Sequence, residues 1–117
     1  MEALSHYEKE VRPWGNFERF VLNEKATVKI LTMTPGESLS LQMHAHRDEF
    51  WRILKGSGVV RIGDTEKNVG EGDTVMITQQ TVHRATAGPD GLQFLEIAFG
   101  DFDEHDEARL EDTYGRV

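Results

Sequence analysis

The sequence contains no cysteine among its 117 residues. It therefore has no disulfide framework, no thiolate metal ligand and no thiol nucleophile, and nitrogen and oxygen donors must hold any bound metal. Long apolar runs are also missing, since none exceeds the three residues found at 75–77. A membrane span needs roughly 20 apolar residues, and a signal peptide also needs an apolar core. We therefore expect a soluble, cytoplasmic protein.

Positive charge is scarce, because the sequence has 13 Lys and Arg residues but 21 Asp and Glu residues, which gives a net charge of −8. This balance removes the usual electrostatic attraction to nucleic acids and anionic membranes, so neither is an expected partner. The acidic excess is greatest in the tail, residues 101–117, which carries seven acids and two bases. We expect this tail to be a solvated surface segment, with a lid or a partner contact as the alternative.

The length predicts a single domain over residues 1–117, because a typical domain uses roughly 150 residues. Within it, turn residues such as Pro35, Gly36 and Gly63 divide the chain into short segments rich in Val, Ile, Leu, Phe and Thr. Eight of these segments are predicted strands: 16–22, 27–33, 39–43, 50–54, 58–62, 74–77, 83–87 and 92–99. Such a pattern favours an all-β sandwich or barrel, and about eight strands fit a jelly roll. Only residues 7–10 and 107–112 could form a turn or two of helix.

Alternation in the segment 39–44 places three apolar side chains on one face and three polar ones, Ser40, Gln42 and His44, on the other. If the apolar face packs into a layer of the fold, Gln42 and His44 point into the barrel. Polar side chains in such a place need partners.

Two more polar residues, Glu49 and His83, have positions in the sequence that could bring them close to Gln42 and His44. Glu49 comes just before an apolar strand, and the period of two places it on the same face as Trp51 and Ile53. His83 is the first residue of a later predicted strand. Two imidazoles, a carboxylate and an amide oxygen suit a divalent ion with coordination positions left open. The alternative for any single strand histidine is a surface or core role, which we expect for His6 and His105.

The spacing of these residues resembles the two-part signature of the cupin superfamily, G-x5-H-x-H-x4-E-x6-G followed by G-x5-P-x-G-x2-H. The first part is matched by Gly36, Gln42, His44, Glu49 and Gly56, with Gln42 in place of the first histidine. Gly72 and His83 match the second part, with Thr78 and Gln80 replacing its proline and glycine. The resemblance implies a double-stranded β-helix, the cupin jelly roll, with a barrel over about 16–99 and short extensions at 1–15 and 101–117.

The chain most closely resembles the C-terminal cupin domain of type II phosphomannose isomerases, which join mannose-6-phosphate isomerase to mannose-1-phosphate guanylyltransferase. The similar stretches span nearly the whole chain and lie at 12–15, 28–29, 35–37, 39–44, 46–47, 49, 51, 112 and 114–116. The motif Gln-x-His, formed by Gln42 and His44, is similar to the metal-binding motif of phosphomannose isomerases. The resemblance implies one divalent metal held by Gln42, His44, Glu49 and His83. Zinc is the usual ion, and Mn, Co or Ni stay open.

The resemblance further implies a metal-dependent isomerase that converts mannose 6-phosphate to fructose 6-phosphate through a cis-enediol, with the metal as Lewis acid. Lys29, His46 and Arg47 are the expected catalytic residues. Lys29 and Arg47 would hold the phosphate, whereas Arg52 and Arg84 have the opposite parity to the ligands and should face outward. The general base stays open between His46, Asp48, Lys29 and a metal-bound hydroxide. We expect no guanylyltransferase activity, because 117 residues leave no room for its nucleotide-binding domain.

Two other functions compete with the isomerase. One is a non-catalytic, metal-containing cupin that binds a sugar or a small acid, and the other is a metal-dependent oxygenase. Gln42 argues against the oxygenase, because iron dioxygenases of this fold usually keep the first histidine. We also expect a homodimer, because an open jelly roll leaves edge strands that pairing can cover.

Overall fold

The computed structural model describes residues 4–103 and 105–112, and these residues form an all-β fold without helices. The nine strands are β1 (Glu8–Arg12), β2 (Gly15–Arg19), β3 (Ala26–Met33), β4 (Leu41–Met43), β5 (Glu49–Ile62), β6 (Thr65–Gly70), β7 (Thr74–Ile77), β8 (His83–Phe99) and β9 (Ala108–Glu111). The predicted all-β class is therefore confirmed. No helix capable of crossing a membrane is found in the described part of the chain.

Strands β1 and β2 form a hairpin, and the other seven strands form one antiparallel sheet in the order β6-β5-β8-β4-β9. Strand β3 pairs with β8, and β7 pairs with β5. The long strands β5 and β8 each join two predicted strands. Their pairing shifts register between Ile53 and Lys55 and again between Gly56 and Gly58. Such bulges bend a strand, so one end of β5 pairs with β7 and the other with β6.

The main core lies on one face of β5 and β8, where the rings of Trp51 and Phe94 pack 4.4 Å apart. Ile53 joins the same cluster, whereas Phe50, on the opposite face of β5, packs with Ile97 in a second cluster. This alternation sends Glu49, which shares the parity of Trp51, into the barrel, as predicted. Burying each large apolar side chain contributes about 1.5–3 kcal/mol, so the strand orientation that buries Glu49 is strongly fixed.

Three elements differ from the expectations. Strand β6 was not among the predicted strands, because most of its residues are polar and exposed and only Val69 is buried. The two end segments that could form helical turns contribute to strands β1 and β9. Strand β1 pairs with the adjacent β2, but β9 pairs with β4, more than 60 residues earlier in the chain. A local sequence pattern contains no information about so distant a partner.

Candidate metal and ligand site

His44, Glu49 and His83 meet inside the barrel, and each is at most 3% exposed. His44 directly follows β4, Glu49 begins β5 and His83 begins β8. Each side chain offers a ligand atom, and these atoms all lie within 4.8 Å of one another. His44 Nε2 and Glu49 Oε2, for example, are 3.3 Å apart.

The imidazole rings of His44 and His83 are both oriented by a hydrogen bond from Nδ1 to a backbone carbonyl. His44 Nδ1 lies 2.6 Å from the carbonyl oxygen of Asp106, and His83 Nδ1 lies 3.0 Å from that of Thr81. A carbonyl oxygen only accepts, so Nδ1 carries the proton in each ring and Nε2 of the neutral ring keeps its lone pair. Burial lowers the pKa of His83, which favours its neutral form.

The Nε2 atom of His83 is buried and has no hydrogen-bond partner among the described residues. An unpaired buried polar atom is costly, and native proteins rarely keep one without a reason. Two imidazole nitrogens and one carboxylate are also a donor set that zinc accepts, in a protein that has no thiolate to offer. These residues therefore fit a divalent metal.

Two hydrogen-bond donors and nearby positive charge favour the ionised form of Glu49. Arg47 Nε donates to its Oε2 at 2.8 Å, and Trp51 Nε1 donates to its Oε1 at 3.2 Å. Burial alone would raise the pKa of Glu49, but the adjacent His44 and Arg47 outweigh burial and hold this pKa below its usual range. Glu49 is thus a carboxylate at neutral pH.

The fourth predicted ligand, Gln42, lies beside the three others. It is half-buried on β4, where it pairs in register with His83, and its Oε1 accepts a hydrogen bond from Ser40 Oγ at 3.3 Å. Gln42 and His44 line the same cleft, which has a volume of about 160 Å³. The structure therefore brings all four predicted metal ligands to one region.

Lys29 faces this cleft. Its strand neighbours Val28 and Ile30 are 56% and 60% exposed, so the alternation of β3 turns Lys29 inward as predicted. The Lys29 Nζ atom lies 4.2 Å from the centre of the Phe102 ring. A second cleft of about 440 Å³ is lined by Lys29, Arg47, Phe102, His105, Glu107 and Arg109. Cationic side chains thus border both clefts.

The other two expected catalytic residues are placed differently. Arg47 is buried, and besides its bond to Glu49 its Nη1 donates to the carbonyl of Asp103 at 3.2 Å. Its Nη2 also lies 3.3 Å from His44 Nε2, so the guanidinium contacts two of the predicted ligands while the residue lines both clefts. His46 is exposed and lines neither cleft in the described part of the chain.

Arg52 and Arg84 are engaged outside the site, in agreement with their predicted outward orientation. Arg52 makes two hydrogen bonds to Glu18, at 2.9 and 3.1 Å. Arg84 Nε donates to the carbonyl of Leu39, and its Nη2 donates to that of Glu111.

Sequence reasoning missed Glu96, a buried residue of β8 that pairs in register with Lys29 and Trp51. Burial and the nearby charge of Glu49 raise the pKa of Glu96 to about 7. A signal for it was present, because Glu96 is the only acidic residue in the predicted strand 92–99. A lone acid in so apolar a strand indicates either an exposed face or a buried polar site.

Residues 106–111 of the acidic tail also contribute to the site, contrary to the expected solvated segment. Strand β9 pairs with β4, and Glu107 and Arg109 line the cleft beside His44. Asp106 contacts His44 itself. No sequence signal identified these contacts, because they join residues some 60 positions apart. The residues of the family resemblance at 114–116 lie outside the described residues.

Comparison with protein families identifies the chain. Residues 1–112 match the family model described as mannose-6-phosphate isomerase C-terminal. The chain belongs to this family. The resemblance noted in its sequence is therefore confirmed.

Two curated relatives illustrate the family. The chain is 38% identical over 115 residues to the mannose-1-phosphate guanylyltransferase ManC of Salmonella typhimurium, covering 96% of the chain and 24% of that protein. It is also 38% identical to the alginate biosynthesis protein AlgA of Pseudomonas aeruginosa, covering 99% of the chain and 24% of that protein. The chain thus spans about a quarter of the length of these relatives.

The expected isomerase function is wrong. Relatives that match nearly the whole chain are named mannose-1-phosphate guanylyltransferases and not isomerases. The site geometry gives a physical reason in the same direction. Of the three residues expected to carry the isomerisation, Lys29 and Arg47 line both clefts, but His46 lines neither of them in the described part of the chain.

Solved structures agree on the fold. A conserved protein with a double-stranded β-helix domain from Klebsiella pneumoniae superposes with a TM-score of 0.66 at 21% identity. The match covers 80% of this chain and 84% of that one. The predicted double-stranded β-helix is therefore confirmed.

Proposed function

We propose that this domain is a metal-holding cupin module that binds a phosphorylated hexose in the clefts beside the metal. The observation that carries the proposal is the buried, unpartnered Nε2 of His83, which lies in one cluster with His44 and Glu49. A divalent ion, zinc first and Mn, Co or Ni as alternatives, would supply the missing partner. His44, Glu49 and His83 would hold it, with Gln42 as the fourth ligand. When bound, the ion offers a Lewis acid to a sugar oxygen.

The proposed ligand is a sugar phosphate, because cations border the clefts of an otherwise acidic chain. Lys29 faces inward beside the candidate metal cluster. Arg109 lines both clefts, and its Nε lies 2.6 Å from a carboxylate oxygen of Glu107. Ammonium and guanidinium groups are the usual phosphate donors in proteins. The names of the family and of the guanylyltransferase relatives both refer to a phosphorylated mannose.

Guanylyl transfer belongs to whole proteins about four times as long as this chain. We propose that this domain serves the same reaction sequence by binding its hexose phosphate, with a mannose-1-phosphate guanylyltransferase as the activity that uses the ligand. In this proposal the metal and Lys29 recognise the two ends of the sugar phosphate.

Calorimetry on metal-stripped protein tests the metal site. Titration with Zn²⁺ should give one equivalent bound, and His83→Ala should lose that binding. His6→Ala is the matched control, because His6 is exposed and remote from the cluster. Equal Zn²⁺ binding by the wild type and His83→Ala would overturn the assigned site.

A second titration tests the ligand. The zinc-loaded protein should bind mannose 1-phosphate or mannose 6-phosphate more tightly than mannose or inorganic phosphate, since only the sugar phosphates reach both the metal and Lys29. Equal affinity for all four compounds would contradict the proposed ligand class.

We further propose that the domain forms a homodimer through β3. In the described part of the chain, β3 pairs only with β8, so its other edge is open. The apolar side chains of Val28 and Ile30 are exposed on this strand. An open edge with apolar side chains favours pairing with a second copy.

A further inference from the structure

A segment near the end of the chain is docked against the metal cluster. Residues 105–111, here called the strap, include β9, which pairs with β4 just before His44. Asp106 in the strap makes three hydrogen bonds to the loop that contains His44. The strap therefore contacts the site through one residue in particular.

The carboxylate of Asp106 holds the backbone that follows His44. Its Oδ1 accepts from the N–H of Ala45 at 2.9 Å, and its Oδ2 accepts from the N–H of His46 at 3.0 Å. Two adjacent backbone donors bound by one carboxylate fix the turn in a single conformation. Hydrogen bonds to an ionised acceptor are also stronger than neutral ones.

The backbone carbonyl of the same residue holds the imidazole. It accepts the proton of His44 Nδ1 at 2.6 Å, so that in the neutral ring Nε2 is the atom without a proton. This Nε2 lies 3.3 Å from Glu49 Oε2 and 3.3 Å from Arg47 Nη2. His83 differs, because its Nδ1 is held by Thr81, only two residues away. The orientation of His83 is thus a local property, whereas that of His44 depends on a residue 62 positions later in the chain.

We propose that Asp106 is the positioning residue of the metal centre: its carboxylate clamps the His44 loop so that its own carbonyl can fix the Nδ1-protonated tautomer of His44. The inference rests on the proposed function only for the identity of the metal centre. The clamp itself is a property of the metal-free protein. Docking of the strap and completion of the ligand set are therefore coupled.

Two variants test the clamp. Asp106→Ala removes both side-chain acceptor oxygens. Asp106→Asn keeps the size of the side chain and one acceptor oxygen, so we expect the asparagine variant to fold even if the alanine variant does not. Asp101→Asn is the matched control, because Asp101 is an exposed acid paired with Lys25 outside the site and its change alters the net charge equally. Thermal melts followed by circular dichroism verify that each variant is folded.

The first readout is the tautomer of His44 in metal-free protein at alkaline pH, where imidazole rings are neutral, measured from long-range ¹H–¹⁵N couplings of the ring. Comparison with a His44→Gln variant assigns the signals. The wild type and Asp101→Asn should show the single Nδ1-protonated form, and the Asp106 variants should show a mixture. A retained single tautomer in folded Asp106→Asn and Asp106→Ala would overturn the clamp.

The second readout is Zn²⁺ affinity. Loss of residues that orient metal ligands typically weakens binding roughly 10–100-fold, so we expect Asp106→Ala to lie in that range and Asp106→Asn to lose less. Affinities within twofold of the wild type would contradict the inference. A wild type that binds no Zn²⁺ would instead refute the proposed function, while the tautomer experiment would still decide the role of Asp106.

Discussion

Arg47 and Glu49 form a buried ion pair in which Arg47 Nε donates to Glu49 Oε2 at 2.8 Å. The pair places a positive charge beside a carboxylate that also belongs to the candidate metal-binding cluster. The positive charge of Arg47 therefore compensates part of the negative charge of Glu49, as a bound metal ion would also do.

Removal of this arginine should destabilise the metal-free protein strongly. Breaking a buried pair leaves an uncompensated charge and costs roughly 3–5 kcal/mol, so Arg47→Met should lower the free energy of unfolding by about that amount. Added Zn²⁺ should restore part of the loss, because it neutralises Glu49. Urea denaturation with and without Zn²⁺ measures both effects. Arg12→Met, at an exposed ion pair with Glu10, is the control and should change stability by less than about 1 kcal/mol.

Lys29 should contribute to ligand affinity without contributing to metal affinity. A hydrogen bond to a charged group is worth about 1.5–3 kcal/mol, so Lys29→Met should weaken sugar-phosphate binding roughly tenfold or more. Zn²⁺ affinity and mannose binding should stay within twofold of the wild type. Calorimetry measures all three, with the exposed Lys25→Met as control. An unchanged affinity for sugar phosphate would contradict the assigned role.

The pH dependence of stability should reveal the Glu18–Arg52 contact, which joins β2 to β5. Hydrogen bonds from Arg52 and from Tyr7 lower the pKa of Glu18 from 4.5 to about 2. A lowered folded-state pKa stabilises the protein above the unfolded-state value, so this contribution is complete above pH 4.5 and is lost as the pH falls toward 2.

Glu18→Gln should therefore flatten the decline of unfolding free energy between pH 4.5 and 2, measured by urea denaturation at several pH values. Glu66→Gln, on the exposed edge strand β6, provides the control and should keep the wild-type slope. Parallel profiles for the wild type and Glu18→Gln would refute the prediction.

The proposed β3 dimer predicts a specific response to charge. Ile30→Lys places two like charges across the interface, and light scattering after size exclusion should report a monomer where the wild type is a dimer. Thr65→Lys, exposed on β6, should leave the dimer intact. A monomeric wild type at all concentrations would exclude this interface.

The predictable part of the site follows from strand alternation. The inward orientation of Gln42 and Glu49 depends on which nearby strand residues are apolar, and a period of two makes that a local property. For Lys29 the alternation gives only a face opposite Val28 and Ile30, and the exposure of those two side chains makes that face the inward one. The same rule applied to residues 92–99 would have drawn attention to Glu96.

The unpredictable part depends on distant pairing. The bonds from Asp106 to His44 and the pairing of β9 with β4 join segments that are far apart in the sequence. Arg47 also makes a contact that its sequence pattern did not predict. An arginine two residues from a buried carboxylate compensates that charge, and Arg47 does so while it lines both clefts.

The position of Asp106 in the sequence has a consequence for biosynthesis. A ribosome that has translated the first 100 residues has already produced all four predicted metal ligands, but not the residue that orients His44. If the domain holds zinc as proposed, the nascent chain should therefore reach its full zinc affinity only after the strap has been synthesised and released from the exit tunnel.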